Sequence, residues 1–93
     1  MMAQQTILIV DDEANQRLML MQALRTDEDR VIATAASVSE ALAWLDSHNA
    51  DLIITDYNMP VSNGLMLIAQ VRQRALPTRI ILITAYSSPD VQE

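Results

Sequence analysis

Asp11 and Asp12 follow the aliphatic run Thr6 to Val10, Asp56 follows Leu52 to Thr55, and Thr84 ends Arg79 to Thr84. Short β-branched and aliphatic runs without alternation read as strands buried on both faces. Groups at the carboxyl ends of such strands stand where parallel α/β sheets put their ligand chemistry. Carboxylates gathered within about 5 Å repel by roughly 3 kcal/mol per pair at an effective dielectric near 20. Such a cluster persists only when protonated or neutralised by a cation. Oxygen-only donors favour Mg2+ or another hard divalent ion. A phosphoryl group added to Asp56 would need the same ion to offset its charge, and Thr84 would offer it a hydroxyl donor. Each group alone has a plainer reading. Acids after a strand can begin a helix, and an aspartate can open a surface turn. The chemistry exists only if these strands are neighbours.

The elements between them make that arrangement the expected one. Ala14 to about Thr26 reads as a helix, with Leu20, Ala23 and Leu24 inward and Asn15, Gln16 and Gln22 toward water. Met19 and Met21 read as surface and packing residues of that helix. Thr26 to Asp29 is an acidic turn, and Val31 to Ala35 a weaker strand. Ser37-Val38-Ser39-Glu40 is a capping-box pattern, in which Glu40 reaches back to Ser37. Val38, Ala41, Leu42 and Leu45 then give the clearest amphipathic stripe in the sequence. Asn49-Ala50 closes that helix. Pro60 ends the zone of the third strand, and Asn63 can cap a helix over Leu65 to Arg74 that faces inward with Leu65, Ile68 and Val71. Pro77 breaks the chain before the fourth strand. Ser88-Pro89-Asp90 carries the start of a further helix. Strands and helices alternating at this spacing predict βαβ units and a parallel sheet: an α/β fold with four strands and three helices.

Composition excludes other chemistries. With 93 residues there is room for one small domain, burying roughly two-thirds of its unfolded surface. Half the residues are hydrophobic, so the chain reads as globular, and without phenylalanine its core must be aliphatic. The absence of cysteine removes thiolate nucleophiles, thiolate metal sites and disulfides. A net charge of −6 argues against direct nucleic-acid binding by this segment. The single glycine, Gly64, excludes the dinucleotide fingerprint and the P-loop. His48 has no second imidazole to work with and reads as a solvated residue at a helix C-terminus. Ile7 to Val10 is too short for a signal peptide or membrane span, so no membrane association and a cytoplasmic location are expected.

Taken together, Asp11-Asp12, Asp56-Tyr57-Asn58-Met59-Pro60, Gly64 and Thr84-Ala85 resemble the receiver domain of two-component response regulators. The resemblance runs from about Gln5 to Glu93. It implies a flavodoxin-like sheet in the order 2-1-3-4-(5) with helices on both faces. It also implies that residues 1–93 are an incomplete receiver, with a fourth helix, fifth strand and fifth helix expected beyond Glu93. By the same resemblance Asp56 is the phosphoacceptor. Asp12, Asp56 and the backbone carbonyl of Asn58 are direct Mg2+ ligands, with Asp11 acting through water. Thr84 follows the phosphoryl group, Tyr86 belongs to the loop that moves with it, and Gly64 permits the tight loop into the third helix. The implied partners are a sensor histidine kinase or phosphotransfer protein and an output domain beyond Glu93. The family's phosphate-pairing lysine and switch aromatic are departures, since this sequence contains no lysine and no fifth strand.

Two other readings compete. A Mg2+-dependent phosphohydrolase built on the same sheet style uses a second aspartate as general acid two residues after the first, where this chain has Asn58, which cannot deliver a proton. A non-phosphorylated, receiver-like interaction module would leave the acid trio without a purpose. The expectation is therefore a signalling phosphoacceptor, not an enzyme beyond slow self-dephosphorylation. An apolar fourth strand left at a sheet edge is further expected to pair with another chain as a homodimer, or to aggregate, unless residues beyond Glu93 cover it.

Overall fold

Four parallel strands form one sheet in the order β2-β1-β3-β4. They are β1 (Gln5–Val10), β2 (Arg30–Ala35), β3 (Leu52–Asp56) and β4 (Arg79–Ile83), alternating with α1 (Ala14–Leu24), α2 (Val38–Leu45) and α3 (Gly64–Gln73). The computed structural model describes residues 5–25, 30–57 and 63–83. The fourfold strand and threefold helix pattern expected from the sequence is present, in the expected order. The turn at 26–29 and the helix start at Ser88-Pro89-Asp90 lie outside the described residues.

The period of two sorts the strand residues onto two faces. Leu8, Val10 and Ile53 join Ala35, Val38, Ala41, Leu45, Ala50, Leu67 and Val71 beneath α2 and α3. Ile7, Ile9 and Ile54 face the other way, against Leu20, Met21 and Leu24 of α1. β1 is central, and Leu8, Ile9 and Val10 are fully buried. This is why its run is aliphatic without alternation.

Local signals start two of the helices as the sequence implies. Ser37 Oγ accepts from the Glu40 amide at 3.1 Å. The Glu40 carboxylate returns to the amide of Ala36, not to that of Ser37, at 2.8 Å. The box is thus closed one residue earlier than expected, which still satisfies a donor ahead of the helix. Asn63 Oδ1 accepts from the Met66 amide at 3.2 Å and caps α3. That helix ends in a Schellman-like closure. Ala75 adopts φ 57°, and the Leu76 amide donates to the Val71 carbonyl at 3.2 Å.

Two expected helix faces are rotated. In α1 Met21 packs inward with Leu20 and Leu24 while Ala23 is exposed. In α3 the buried residues are Gly64, Leu67 and Val71, and Leu65 is exposed. Both shifts have one cause. The inward stripe is chosen by which side chains fill the space over the sheet, and another apolar residue two positions away loses. His48 is where the sequence puts it, exposed after α2. Its Nδ1 contacts the Trp44 carbonyl at 3.0 Å, and its ring stacks on Trp44 with centroids 4.6 Å apart.

Candidate metal centre

Strand register decides which strand ends meet. Val10 of β1 lies opposite Thr55 of β3, so Asp11 and Asp56, one step further on each strand, leave the sheet side by side. The alternation that puts Ile7, Ile9 and Ile54 toward α1 puts these two side chains on the same side. The carboxylate oxygens of Asp11, Asp12 and Asp56 come within 4.8 Å of one another. Burial falls across the trio: Asp11 is buried, Asp56 half-buried and Asp12 exposed.

Asp11 is the anchored member, at 3% exposure. Its amide donates to the Ala35 carbonyl of β2 at 3.1 Å. Its carbonyl accepts from Arg17 Nη1 at 2.7 Å, and its Oδ1 accepts from the Glu13 amide at 2.9 Å. Burial pushes the Asp11 carboxyl above its ordinary range. The Glu13 amide pulls it back, while the charges of Asp56, Asp12 and Glu13 push it up further. A cation would reverse those repulsions. An all-oxygen set with one buried and one exposed end suits a hard divalent ion that keeps several waters. These three residues could hold a metal ion.

The backbone behind Asp56 is fixed by β4 and α3. The Tyr57 amide donates to the Ile83 carbonyl at 3.0 Å, and the Gly64 amide donates to the Tyr57 carbonyl at 3.1 Å. Gly64 is needed here for clearance, since its φ is not positive. A Cβ at this position would lie 2.9 Å from the Asp56 carbonyl oxygen and 2.9 Å from Leu82 Cδ2. No side chain fits between α3 and the end of β3. Asn58, Thr84 and Tyr86 lie outside the described residues.

Two residues at the strand ends were not singled out by sequence reasoning. Arg17 reaches back from the fourth residue of α1, just past its first turn, to the Asp11 carbonyl. The available signal was a basic residue close to a helix N-terminus, an end that normally favours acids. Asp51 works at the opposite end of the sheet. Its Oδ2 accepts from the Thr6 amide at 2.8 Å, and its own backbone bonds to Thr6 and Arg79. It ties three strands together where β3 begins.

Comparison with known proteins agrees with this geometry. Residues 7–93 match the model of the response regulator receiver domain, and the chain belongs to that family. The Thermotoga maritima response regulator TrrA, solved in complex with Mg2+-BeF, is 41% identical with a TM-score of 0.81, over 89% of this chain and 71% of that one. TrrA has also been solved in complex with the histidine kinase ThkA. Chemotaxis protein CheY4 of Vibrio cholerae is 34% identical with a TM-score of 0.83, over 97% of this chain and 76% of that one. The transcriptional regulatory protein PdtaR of Mycobacterium tuberculosis is 30% identical over 87 residues, which is 94% of this chain but 42% of that protein. The chain therefore spans less than half the length of that relative. Among the described residues no helix is long and apolar enough to cross a membrane.

Proposed function

We propose that this protein accepts a phosphoryl group on Asp56 in a Mg2+-dependent two-component phosphorelay and so switches the contacts of an output domain or partner protein. The observation that carries the reading is the gathering of Asp11, Asp12 and Asp56 within 4.8 Å at adjoining strand ends. The donor is the phosphohistidine of a sensor kinase or phosphotransfer protein. An Asp56 carboxylate oxygen attacks phosphorus, the P–N bond breaks, and the imidazole leaves with the bonding pair and takes up a proton. The product is an acyl phosphate. Asp11, Asp12, Asp56 and the Asn58 carbonyl are the groups that would hold Mg2+, which offsets the charge gathered there. Thr84 would donate its hydroxyl to the transferred group. The complexes of TrrA with Mg2+-BeF and with a histidine kinase support this reading by likeness. The protein acts as a cytoplasmic signalling module with no substrate of its own to turn over, beyond slow loss of the phosphoryl group.

Acetyl phosphate labelling tests the reading. Hydroxylamine-sensitive labelling that requires Mg2+ is expected in the unmutated protein. Asp56→Asn should abolish it, because an amide cannot form the acyl phosphate. Thr84→Ala should keep the label, since that hydroxyl contributes a hydrogen bond and not the nucleophile. Labelling that survives Asp56→Asn places the acceptor elsewhere. No labelling of the unmutated protein would make the chain an interaction module only.

A further inference from the structure

The start of α1 is held in an unusual way. Its N-cap residue, Glu13, makes no side-chain cap hydrogen bond, and its first turn contains no acid. Instead the first turn is followed by Arg17, whose cation stands near the positive end of the helix, a placement that is unfavourable by itself. The side chain of Arg17 folds back toward the helix N-terminus, the direction helical side chains lean. There Nη1 donates to the Asp11 carbonyl at 2.7 Å, a charge-assisted bond at a half-buried position. The Arg17 amide meanwhile donates to the Glu13 carbonyl at 3.1 Å. One residue thus clasps both ends of the link that carries Asp11, Asp12 and Glu13.

Its head engages the Asp11 carbonyl and not the carboxylate. The carboxylate oxygens of Asp11, Asp12 and Asp56 meanwhile lie within 4.8 Å of one another. Arg17 is therefore placed to hold the loop while leaving the negative charge of the trio available to a cation. We infer that Arg17 is a positioning residue for the acid trio: by clasping the Asp11 carbonyl it keeps Asp11 and Asp12 turned toward Asp56 and so sets the affinity for a divalent cation. This rests on the metal-binding reading given above. Without the clasp, Asp11 and Asp12, on a link whose helix has no side-chain cap, would relax away from Asp56 under their mutual repulsion.

The test is a calorimetric Mg2+ titration of the unmutated protein, Arg17→Met, Arg17→Lys and Asp12→Ala, each paired with a urea unfolding curve. Arg17→Met removes the donor and should weaken Mg2+ binding about 10-fold, the low end of the range for residues that orient metal ligands. Arg17→Lys keeps a cationic donor on a flexible stem and should recover most of the loss. A merely structural role would lower the urea midpoint of both variants without changing the affinity of the folded protein. Should Arg17→Met fail to fold, Arg17→Leu, which also lacks a donor, replaces it with the same expectation. Mg2+ affinity unchanged in Arg17→Met but lost in Asp12→Ala overturns the positioning role and keeps the metal site. Affinity unchanged in Asp12→Ala, or no binding by the unmutated protein, overturns the metal reading and this inference with it.

Discussion

The two faces of the sheet come from the same strands but are packed to different depths. Beneath α2 and α3 lies a continuous core running from Leu8 and Ile53 to Leu67 and Val71. On the α1 face the buried apolar side chains among the described residues are Ile7, Ile9 and Ile54, and none belongs to α1 itself. Leu18 and Met19 of that helix are about half exposed, at 51% and 55%. The acid trio rises on this thinner side, backed by the thicker one. Such a division suits a switch. One face fixes the backbone of β1 and β3, and the other keeps elements near the site whose rearrangement disturbs little packing.

The sharpest way to break this comparison is to cut one leucine from each helix layer. Leu67→Ala removes a fully buried side chain of α3 and should cost about 3 kcal/mol in urea unfolding. Leu20→Ala, on half-buried α1 surface, should cost about 1 kcal/mol. Equal losses would mean that the faces share the load evenly. A smaller effect is expected where the thick face touches the site. Gly64→Ala puts a methyl against the Asp56 carbonyl and Leu82, so about 2 kcal/mol of stability should go as α3 is pushed off the sheet. Because the displaced atom belongs to Asp56, the variant should also bind Mg2+ more weakly. Full Mg2+ affinity with lowered stability would show that α3 yields without moving the acceptor.

The smallest effect belongs to the thin face and is read by its sign. Asp11 has a native carboxyl raised above its ordinary value of 3.8, mainly by burial. Without divalent ions the native state therefore holds this proton to higher pH than the unfolded chain does. Stability contributed by Asp11 is full below the unfolded value and declines as pH rises through the native one. Asp11→Asn removes that decline and keeps a side-chain oxygen for the Glu13 amide. At neutral pH in a chelator it should unfold at higher urea than the unmutated protein, and the two should converge in acid. Saturating Mg2+ should reverse their order. A variant less stable than the parent throughout would show that the Asp11 charge is already compensated.

Much of the molecule is legible from the chain because its signals are local. Ser37 and Asn63 reach amides three residues ahead, so the starts of α2 and α3 can be read within one turn. Aliphatic runs ended by Asp11 and Asp56 mark strand ends without knowledge of their neighbours. Position on a helix face is already less local. Leu65 and Leu67, or Ala23 and Met21, are near equivalents until the sheet beneath selects one of each pair. The site itself needed more. The meeting of Asp11 with Asp56 follows from the Val10–Thr55 register, set by packing on both faces across some forty intervening residues. The clearance at Gly64 and the reach of Arg17 to the Asp11 carbonyl likewise exist only once α3 and α1 are docked. Residue types declared what chemistry was available, and tertiary structure decided which groups came close enough to perform it, because distance between remote residues is a property of packing and not of the chain.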